Sequence, residues 1–265
     1  MKAGLIGFGK TGRAVASVLL ESPNVDFRWV IRKSHSMEHR SVPEFLGIPS
    51  NEQGLIYSKD EFSAEQLLDQ MPVDVVIDFS SPDGIAYYGQ AAAERGIAIV
   101  SAISAYPDEK IKYLHQLAEK TKVLWSPNIT IGINFLIIAA KILKNIAPYT
   151  DIEIIEEHFK KKPEISGTAR KIAQALELPD EAIKTVRAGG IIGVHEILFG
   201  FPYQTVRLKH ESIAREAFGN GALFGAEHLL KKDKGLYTME DLMLPFFRIN
   251  EPEEPAAQRP WWKIW

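Results

Sequence analysis

KAGLIGFGKTG, residues 2–12, is the stretch that decides the fold: a short apolar run enters a G-x-G-x-x-G loop, and a helical pattern follows to Leu20. In such a unit the first glycine permits a tight turn, and the second lets a pyrophosphate approach the backbone. The third glycine lets the helix pack closely on the strand. The stretch therefore predicts a dinucleotide-binding unit whose cofactor contacts come from Gly7, Phe8, Gly9, Lys10, Thr11 and Gly12.

Further strand and helix patterns alternate after this unit, which is typical of a doubly wound parallel sheet. One of them, Val73 to Phe79, is almost wholly apolar, as expected of a strand that is buried on both faces. Ligands of such sheets lie beside the carboxyl ends of the strands. We therefore expect further cofactor contacts from Phe79, Ser80, Ser81, Ser101, Ala102, Pro127, Asn128 and Ile129.

The second predicted strand, Val25 to Ile31, ends in Arg32, Lys33 and Ser34. Enzymes that select NAD usually place an Asp or Glu here, which accepts a hydrogen bond from the ribose 2′-hydroxyl. An arginine fork is instead suited to a 2′-phosphate, so these residues predict a preference for NADPH, with NADH left open as a second cofactor. The alternative is that they form only a charged, solvated strand end.

Residues 156–169, EEHFKKKPEISGTA, are predicted to form a loop between a strand and a helix. The loop combines an imidazole, His158, with three consecutive lysines at 160–162 and a Ser-Gly-Thr helix start at 166–168. Cations beside the free N–H groups of a helix N-terminus favour a carboxylate or phosphate, to which His158 could donate a proton. The alternative is a solvated charged face in which Ser166 is an ordinary N-cap.

Composition excludes several kinds of site and partner. A net charge of −3, from 31 basic and 34 acidic residues, gives no overall attraction to nucleic acid or anionic membranes. The absence of cysteine excludes disulfides, thiolate metal sites and a cysteine nucleophile. The histidines lack the spacing of metal ligands, and we interpret His195 and His210 as structural groups. No signal-peptide layout or membrane-spanning run is seen, so a cytoplasmic location is expected.

Five ordered blocks carry a family resemblance: IDFSSP (77–82), PNITIGIN (127–134), the segment 152–169, RAGGIIGVHE (187–196) and the segment 210–223 with its NGAL. With them the chain resembles the dihydrodipicolinate reductase family over nearly its whole length. The resemblance implies an α/β fold with a Rossmann cofactor domain, a substrate-binding and oligomerisation domain, and a homotetramer. It also implies hydride transfer from NAD(P)H to 4-hydroxy-tetrahydrodipicolinate, a small dicarboxylate, in lysine and diaminopimelate biosynthesis.

The resemblance also implies roles for particular residues. His158 would protonate the substrate, and Lys161 would help to hold a carboxylate and polarise the ring. The backbone and hydroxyls of Ser166, Gly167 and Thr168 would bind a substrate carboxylate. The family usually has two adjacent histidines and D-A-P before the SGT, whereas this chain has one histidine and PEI. Counting back from the SGT instead sets Glu157 at the acid position. The SAIS segment, residues 101–104, stands where the family favours G-T-T-G.

The domain boundaries predicted are 1–129 with 213–244 for the cofactor domain and 130–212 for the substrate domain. A Trp- and Pro-rich extension, 245–265, is expected to dock on its own protein or a neighbouring subunit. Two alternative functions are kept. One is a related NAD(P)-dependent dehydrogenase of another small amino or imino acid, of the diaminopentanoate type. The other is a non-catalytic NADPH-binding relative.

Overall fold

The structure, a computed structural model, describes residues 1–51 and 54–247. Its larger sheet has seven parallel strands in the order β3-β2-β1-β4-β5-β6-β11. These strands are β1 (Lys2–Ile6), β2 (Asp26–Arg32), β3 (Leu55–Ser58), β4 (Val75–Asp78), β5 (Ala98–Ser101), β6 (Lys122–Trp125) and β11 (Gly235–Tyr237). The order reverses between β1 and β4, which confirms the predicted doubly wound parallel sheet.

Helices cover both faces of this sheet, and each face has its own apolar core. They are α1 (Lys10–Glu21), α2 (Val42–Leu46), α3 (Ala64–Gln70), α4 (Ile85–Glu94), α5 (Asp108–Ala118), α8 (Glu216–Leu229) and α9 (Met239–Met243). The central strands β4 and β5 are buried along their whole length, as their largely apolar sequences predict. Gly219 in α8 permits close helix packing, because a Cβ there would come within 2.7 Å of the Val18 side chain in α1.

The smaller sheet has four strands in the order β10-β9-β7-β8. They are β7 (Asp151–His158), β8 (Ile183–Arg187), β9 (Val194–Gly200) and β10 (Thr205–Glu211). The pairs β7–β9 and β9–β10 are antiparallel and β7–β8 is parallel, which confirms a mostly antiparallel second sheet. One face packs on α6 (Ile131–Ile146) and α7 (Gly167–Ala175), and a core that includes Ile154, Ile172 and Phe199 lies between them.

Three details differ from the sequence prediction. The loop expected from residue 156 begins only after His158, because β7 continues to pair with β8 and β9 as far as its last two residues. The helical pattern of residues 211–230 predicts a helix from Glu211, but the helix begins at Glu216, because Glu211 still pairs with Val194 of β9. The strand β11 and the helix α9 were not predicted, and the extension after residue 247 lies outside the described residues.

Candidate active site

The loop between β1 and α1 has the form that a dinucleotide requires. Gly7 has a φ of 97°, and a Cβ on Gly12 would lie 2.2 Å from the carbonyl oxygen of Gly7. A Cβ on Gly9 would instead meet no atom within 4 Å, so the backbone there is open to a close approach. Gly9 is the N-cap of α1, which has no side-chain cap and no acidic residue in its first turn. The described residues thus leave the first N–H groups of α1 free for a pyrophosphate.

A pocket of about 350 Å³, here called the strand-end pocket, lies at the carboxyl ends of β4, β5 and β6. The parallel sheet brings these strand ends beside the glycine-rich loop, as the position of ligands in such folds predicts. Ile103 and Ser104 of the SAIS segment also line the pocket. The predicted cofactor residues that line it are Thr11, Phe79, Ser80, Ser81, Ala102, Pro127 and Ile129.

Arg32 is the last residue of β2 and lies beside the glycine-rich loop, because the N–H of Gly7 donates to the carbonyl of Ile31 (2.8 Å). The Arg32 guanidinium donates to the carbonyl oxygen of Ser36 (2.8 Å), which folds the following turn back over it. A half-buried cation therefore stands at the strand end where dinucleotide folds contact the ribose. The exposed residues that follow it are Lys33 and Ser34.

Two predicted cofactor residues have buried side chains that are engaged elsewhere. Ser101 is completely buried at the end of β5, and its hydroxyl hydrogen-bonds that of Tyr106 (2.8 Å). Ser101 does not line the strand-end pocket, because the last residue of this strand faces the core. The ring of Phe8 is also buried and packs on Phe45, with 5.7 Å between ring centroids. In both residues the side chain serves packing, and only the backbone is left to face a cofactor.

Asp78 is a buried carboxylate beneath the strand-end pocket that the sequence analysis did not single out. One oxygen accepts from the N–H and the hydroxyl of Ser80, at 2.8 and 2.6 Å, and the other accepts from the hydroxyl of Tyr88 (2.9 Å). Burial raises the pKa of Asp78 to about 6, although these hydrogen bonds oppose the rise. Asp78 thus fixes the turn that carries Ser80 into the pocket.

A larger cleft of about 870 Å³, here called the central cleft, adjoins the strand-end pocket, and Thr11 and Phe218 line both. One wall of the cleft is the first turn of α1. The opposite wall carries His158, Thr168 and His195. The fold therefore brings the segment of His158 and Thr168 against the glycine-rich loop, as expected if cofactor and substrate meet between the two sheets.

His158 is the last residue of β7 and belongs to a buried chain of charged groups. Its Nδ1 hydrogen-bonds Oε2 of Glu156, which is completely buried, and Oε1 of Glu156 accepts from the guanidinium of Arg187 (2.5 Å). Burial alone would raise the pKa of Glu156, but Arg187 and His158 together lower it below its ordinary value. Glu156 thus remains ionised between Arg187 and His158 and holds one ring nitrogen of His158.

Ser166 is the N-cap of α7, where its hydroxyl accepts from the N–H of Ala169 (3.0 Å) and hydrogen-bonds Nε2 of His195 (2.8 Å). His195 is buried, and its ring centroid lies 5.4 Å from that of His158. Burial, His158 and His210 lower the pKa of His195 to about 4, so it is neutral near pH 7. Among the described residues, Nδ1 of His195 has no hydrogen-bond partner.

Asn128 connects the two halves of the site. Its amide donates to the hydroxyl of Thr168 (3.3 Å), while its own carbonyl accepts from the amide of Asn134 (2.7 Å). The predicted cofactor residue Asn128 therefore touches the helix start that the resemblance assigns to substrate. Gly167 is exposed at the same helix start.

The lysines of the 159–165 loop differ in position. Lys161 is exposed and does not line the central cleft, whereas Lys162 is half-buried and its charge contributes to the lowered pKa of His195. The loop is held by Arg187, which donates from Nε to the carbonyl of Lys162 (3.2 Å) and from Nη2 to that of Glu164 (2.9 Å). The structure therefore brings Lys162, rather than Lys161, towards the histidines.

Three residues organise this site without having been predicted to belong to it: Glu156 and Arg187 were assigned no role, and His195 was interpreted as a structural group. A signal for Glu156 was present, because residues two apart in a strand share a face and Glu156 is two residues before His158. Arg187 and His195 come from other strands, and only the pairing of β7 with β8 and β9 brings them here.

The described residues contain no group of three or more His, Asp or Glu that could hold a metal ion. In the same part of the chain, no helix has the length and apolar character needed to cross a bilayer.

Comparison with known proteins agrees with this geometry. Residues 1–129 match the family model "Dihydrodipicolinate reductase, N-terminus", and residues 128–243 match "Dihydrodipicolinate reductase, C-terminus". The 4-hydroxy-tetrahydrodipicolinate reductase of Caldanaerobacter subterraneus subsp. tengcongensis is 35% identical over 257 residues, which cover 89% of this chain and 94% of that protein. That of Lawsonia intracellularis is 34% identical over 208 residues, 68% of this chain and 80% of the relative.

Among solved structures, the dipicolinate-bound dihydrodipicolinate reductase from Paenisporosarcina sp. TG-14 is similar with a TM-score of 0.73. The similarity covers 90% of this chain and 97% of that one, at 23% sequence identity, and it shows a shared fold. The family models together span almost all of the described residues. The chain therefore belongs to the dihydrodipicolinate reductase family, whose members are NAD(P)H-dependent oxidoreductases.

Proposed function

We propose that this protein reduces 4-hydroxy-tetrahydrodipicolinate to tetrahydrodipicolinate in lysine and diaminopimelate biosynthesis, with His158 as the proton donor. The observation that carries the proposal is the junction of the strand-end pocket with the central cleft, where the glycine-rich loop faces His158 and Thr168. The bound nicotinamide cofactor supplies the hydride. Arg32 at the end of β2 supports NADPH as the preferred cofactor, because a guanidinium suits a 2′-phosphate, and NADH is the second candidate.

His158 is suited to donate a proton from Nε2. A carboxylate only accepts hydrogen bonds, so Glu156 keeps a proton on Nδ1 of His158, and Nε2 is the nitrogen that exchanges its proton with the ligand. Nε2 lies near Gly193, which also lines the cleft. Glu157, the alternative acid, points to the opposite face of β7 and does not line the cleft, which favours His158.

The start of α7 is suited to one substrate carboxylate. The Ser166 hydroxyl is already used by Ala169 and His195, so we assign the binding to the N–H groups of Gly167 and Thr168 and to the Thr168 hydroxyl. No acidic residue stands in the first turn of α7 to oppose an anion. Ser166 then acts by holding this turn in place.

A lysine of the 159–165 loop would complete the anion site. Lys161 is the residue that the family pattern assigns, but Lys162 is the more buried of the two and acts on His195. Lys161→Ala and Lys162→Ala form a matched pair for deciding between them. The variant that raises the dissociation constant of pyridine-2,6-dicarboxylate more identifies the lysine that holds a carboxylate.

The organisation of the chain is part of the proposal. Residues 1–129 with 213–244 form the cofactor domain, and 130–212 form the substrate and oligomerisation domain. The working protein is a cytoplasmic homotetramer that acts on a small dicarboxylate, without nucleic acid, membrane or metal. Size-exclusion chromatography with light scattering measures the oligomer directly.

The decisive experiment follows NADPH oxidation with freshly generated 4-hydroxy-tetrahydrodipicolinate. Turnover that pyridine-2,6-dicarboxylate inhibits competitively is the expected result. Oxidation of a diaminopentanoate-type amine by NADP⁺, without turnover of the dipicolinate precursor, would instead indicate the related dehydrogenase. Tight NADPH binding with no turnover of either substrate would indicate a non-catalytic relative.

A further inference from the structure

Arg187, at the end of β8, donates four hydrogen bonds from its guanidinium. Its Nη2 donates to the buried carboxylate of Glu156 (2.5 Å) and to the carbonyl of Glu164 (2.9 Å). Its Nε donates to the carbonyl of Lys162 (3.2 Å), and its Nη1 donates to the carbonyl of Val186 (2.9 Å). All three nitrogens of the guanidinium are thus engaged, and only 20% of its side chain is exposed.

One of these contacts reaches the proposed acid through Glu156, and two hold the loop beside it. Through Glu156, Arg187 acts on the nitrogen of His158 that does not face the ligand. Through the carbonyls at 162 and 164, it fixes the loop that carries the lysines. The pairing of β7 with β8 supports the same position, because Arg187 stands opposite His158 and the N–H of Ala188 donates to the His158 carbonyl (3.0 Å).

We propose that Arg187 is a positioning residue for catalysis, which fixes the ring of His158 through Glu156 and at the same time ties the 159–165 loop against the central cleft. This inference rests on the proposed function, in which His158 donates the proton. A planar guanidinium can reach a carboxylate and two carbonyls in different directions, whereas the single ammonium group of lysine cannot span them. Charge alone is therefore not sufficient at this position.

Three variants distinguish a positioning role of Arg187 from a role in folding alone. Arg187→Lys keeps the charge, Arg187→Met removes it, and Arg187→Met combined with Glu156→Gln removes the buried carboxylate charge that would otherwise be left without its partner. Arg207→Met is the matched control, because Arg207 pairs with Glu196 across the same sheet but has 54% of its side chain exposed. The control should keep the turnover of the wild type.

Turnover and ligand binding give the first readouts. We expect Arg187→Lys and Arg187→Met to lower kcat by about 10- to 100-fold, the usual cost of a displaced catalytic group. The dissociation constant of pyridine-2,6-dicarboxylate should rise, because the 159–165 loop is no longer held by Arg187. The dissociation constant of NADPH should stay within about twofold of the wild-type value, because no contact of Arg187 reaches the glycine-rich loop. The double variant should fold like the wild type and keep the low kcat.

The second readout is the tautomer of His158, measured by nitrogen NMR on histidine-labelled protein without substrate, with His158→Ala to assign the signal. In the wild type Nδ1 should carry the proton, and in Arg187→Met the two tautomers should mix. Wild-type kcat in Arg187→Lys, or an unchanged His158 tautomer in Arg187→Met, would overturn the inference. If the wild type shows no reductase turnover, the proposed function fails separately, and the NMR comparison still reports whether Arg187 orients His158.

Discussion

The substitution Asp78→Asn tests whether a buried carboxylate under the strand-end pocket costs the protein stability at neutral pH. Asp78 is completely buried, and its partners are the neutral groups of Ser80 and Tyr88. Asparagine keeps an oxygen for Ser80 and offers an amide to the Tyr88 hydroxyl, so the hydrogen bonds can be rebuilt at the same volume. The substitution therefore removes mainly the ability to carry a charge.

The size of the effect follows from the raised pKa. A rise from 3.8 to about 6 corresponds to about 3 kcal/mol, since each pKa unit is worth about 1.36 kcal/mol. The folded protein binds this proton more tightly than the unfolded chain does. The stabilisation is therefore complete below the unfolded pKa and is lost as the pH rises through about 6. About 2 kcal/mol of it should disappear between about pH 4.5 and pH 8.

Urea denaturation at these two pH values measures the effect as a difference between variant and wild type. The free energy of unfolding of Asp78→Asn minus that of wild type should increase by about 2 kcal/mol from the lower pH to the higher, because only the wild type loses stability. Asp83→Asn, which alters an exposed carboxylate nearby, should change stability by less than about 0.5 kcal/mol at both. A difference between Asp78→Asn and wild type that does not vary with pH would refute the reasoning.

Three further predictions concern the site. His158→Ala should lower kcat by about 10² to 10⁴, the range typical of a general acid, with little change in cofactor affinity. Glu157→Ala should leave kcat near the wild-type value. Steady-state kinetics measure both variants, and the opposite pattern would contradict the assignment of His158 as the acid. Arg32→Asp should weaken NADPH binding by about 10- to 100-fold and NADH much less, because it removes a charge-assisted bond to phosphate. Equal losses in fluorescence titrations with the two cofactors would argue against a 2′-phosphate site. Gly9→Ala should have the stability of wild type, because the φ of −77° suits alanine and the added Cβ meets no protein atom within 4 Å. The variant should nevertheless bind NADPH about tenfold more weakly, because the Cβ would stand where the pyrophosphate approaches the backbone. Calorimetry measures the NADPH affinity, and an unchanged affinity would exclude a close pyrophosphate at Gly9.

The first sheet could be predicted because its signals are local. The glycine spacing in residues 7–12 and the nearly continuous apolar run around β4 are each confined to one short segment, and parallel pairing follows from the alternation of strands and helices. Ser101 shows the limit of such reasoning. Its place at a strand end was foreseen, but the sequence does not show that its hydroxyl turns to Tyr106 in the core.

The contacts that organise the site in the second sheet could not be predicted from the sequence, because they join distant parts of the chain. His158 was singled out from its own segment, whereas Arg187 is 29 residues further along and His195 is on a different strand again. Charge and size at those positions would suit an ordinary strand end equally well. The contribution of Arg187 and His195 to the site depends on the register in which β7 pairs with β8 and β9, and the periodicity of the sequence does not determine that register.

Both halves of the site are built by the same local arrangement. In the first sheet β1 leads through the glycine-rich loop to the uncapped start of α1, and the next parallel strand, β2, brings Arg32 alongside. In the second sheet β7 leads through the 159–165 loop to the start of α7, and the parallel strand β8 brings Arg187 alongside. Within the described residues, parallel pairing in the smaller sheet occurs at β7 and β8, where His158 also lies. Because parallel strands place strand ends and helix N-termini on the same side, the departure from antiparallel pairing at β7 and β8 is what forms the proposed anion-binding edge opposite the glycine-rich loop.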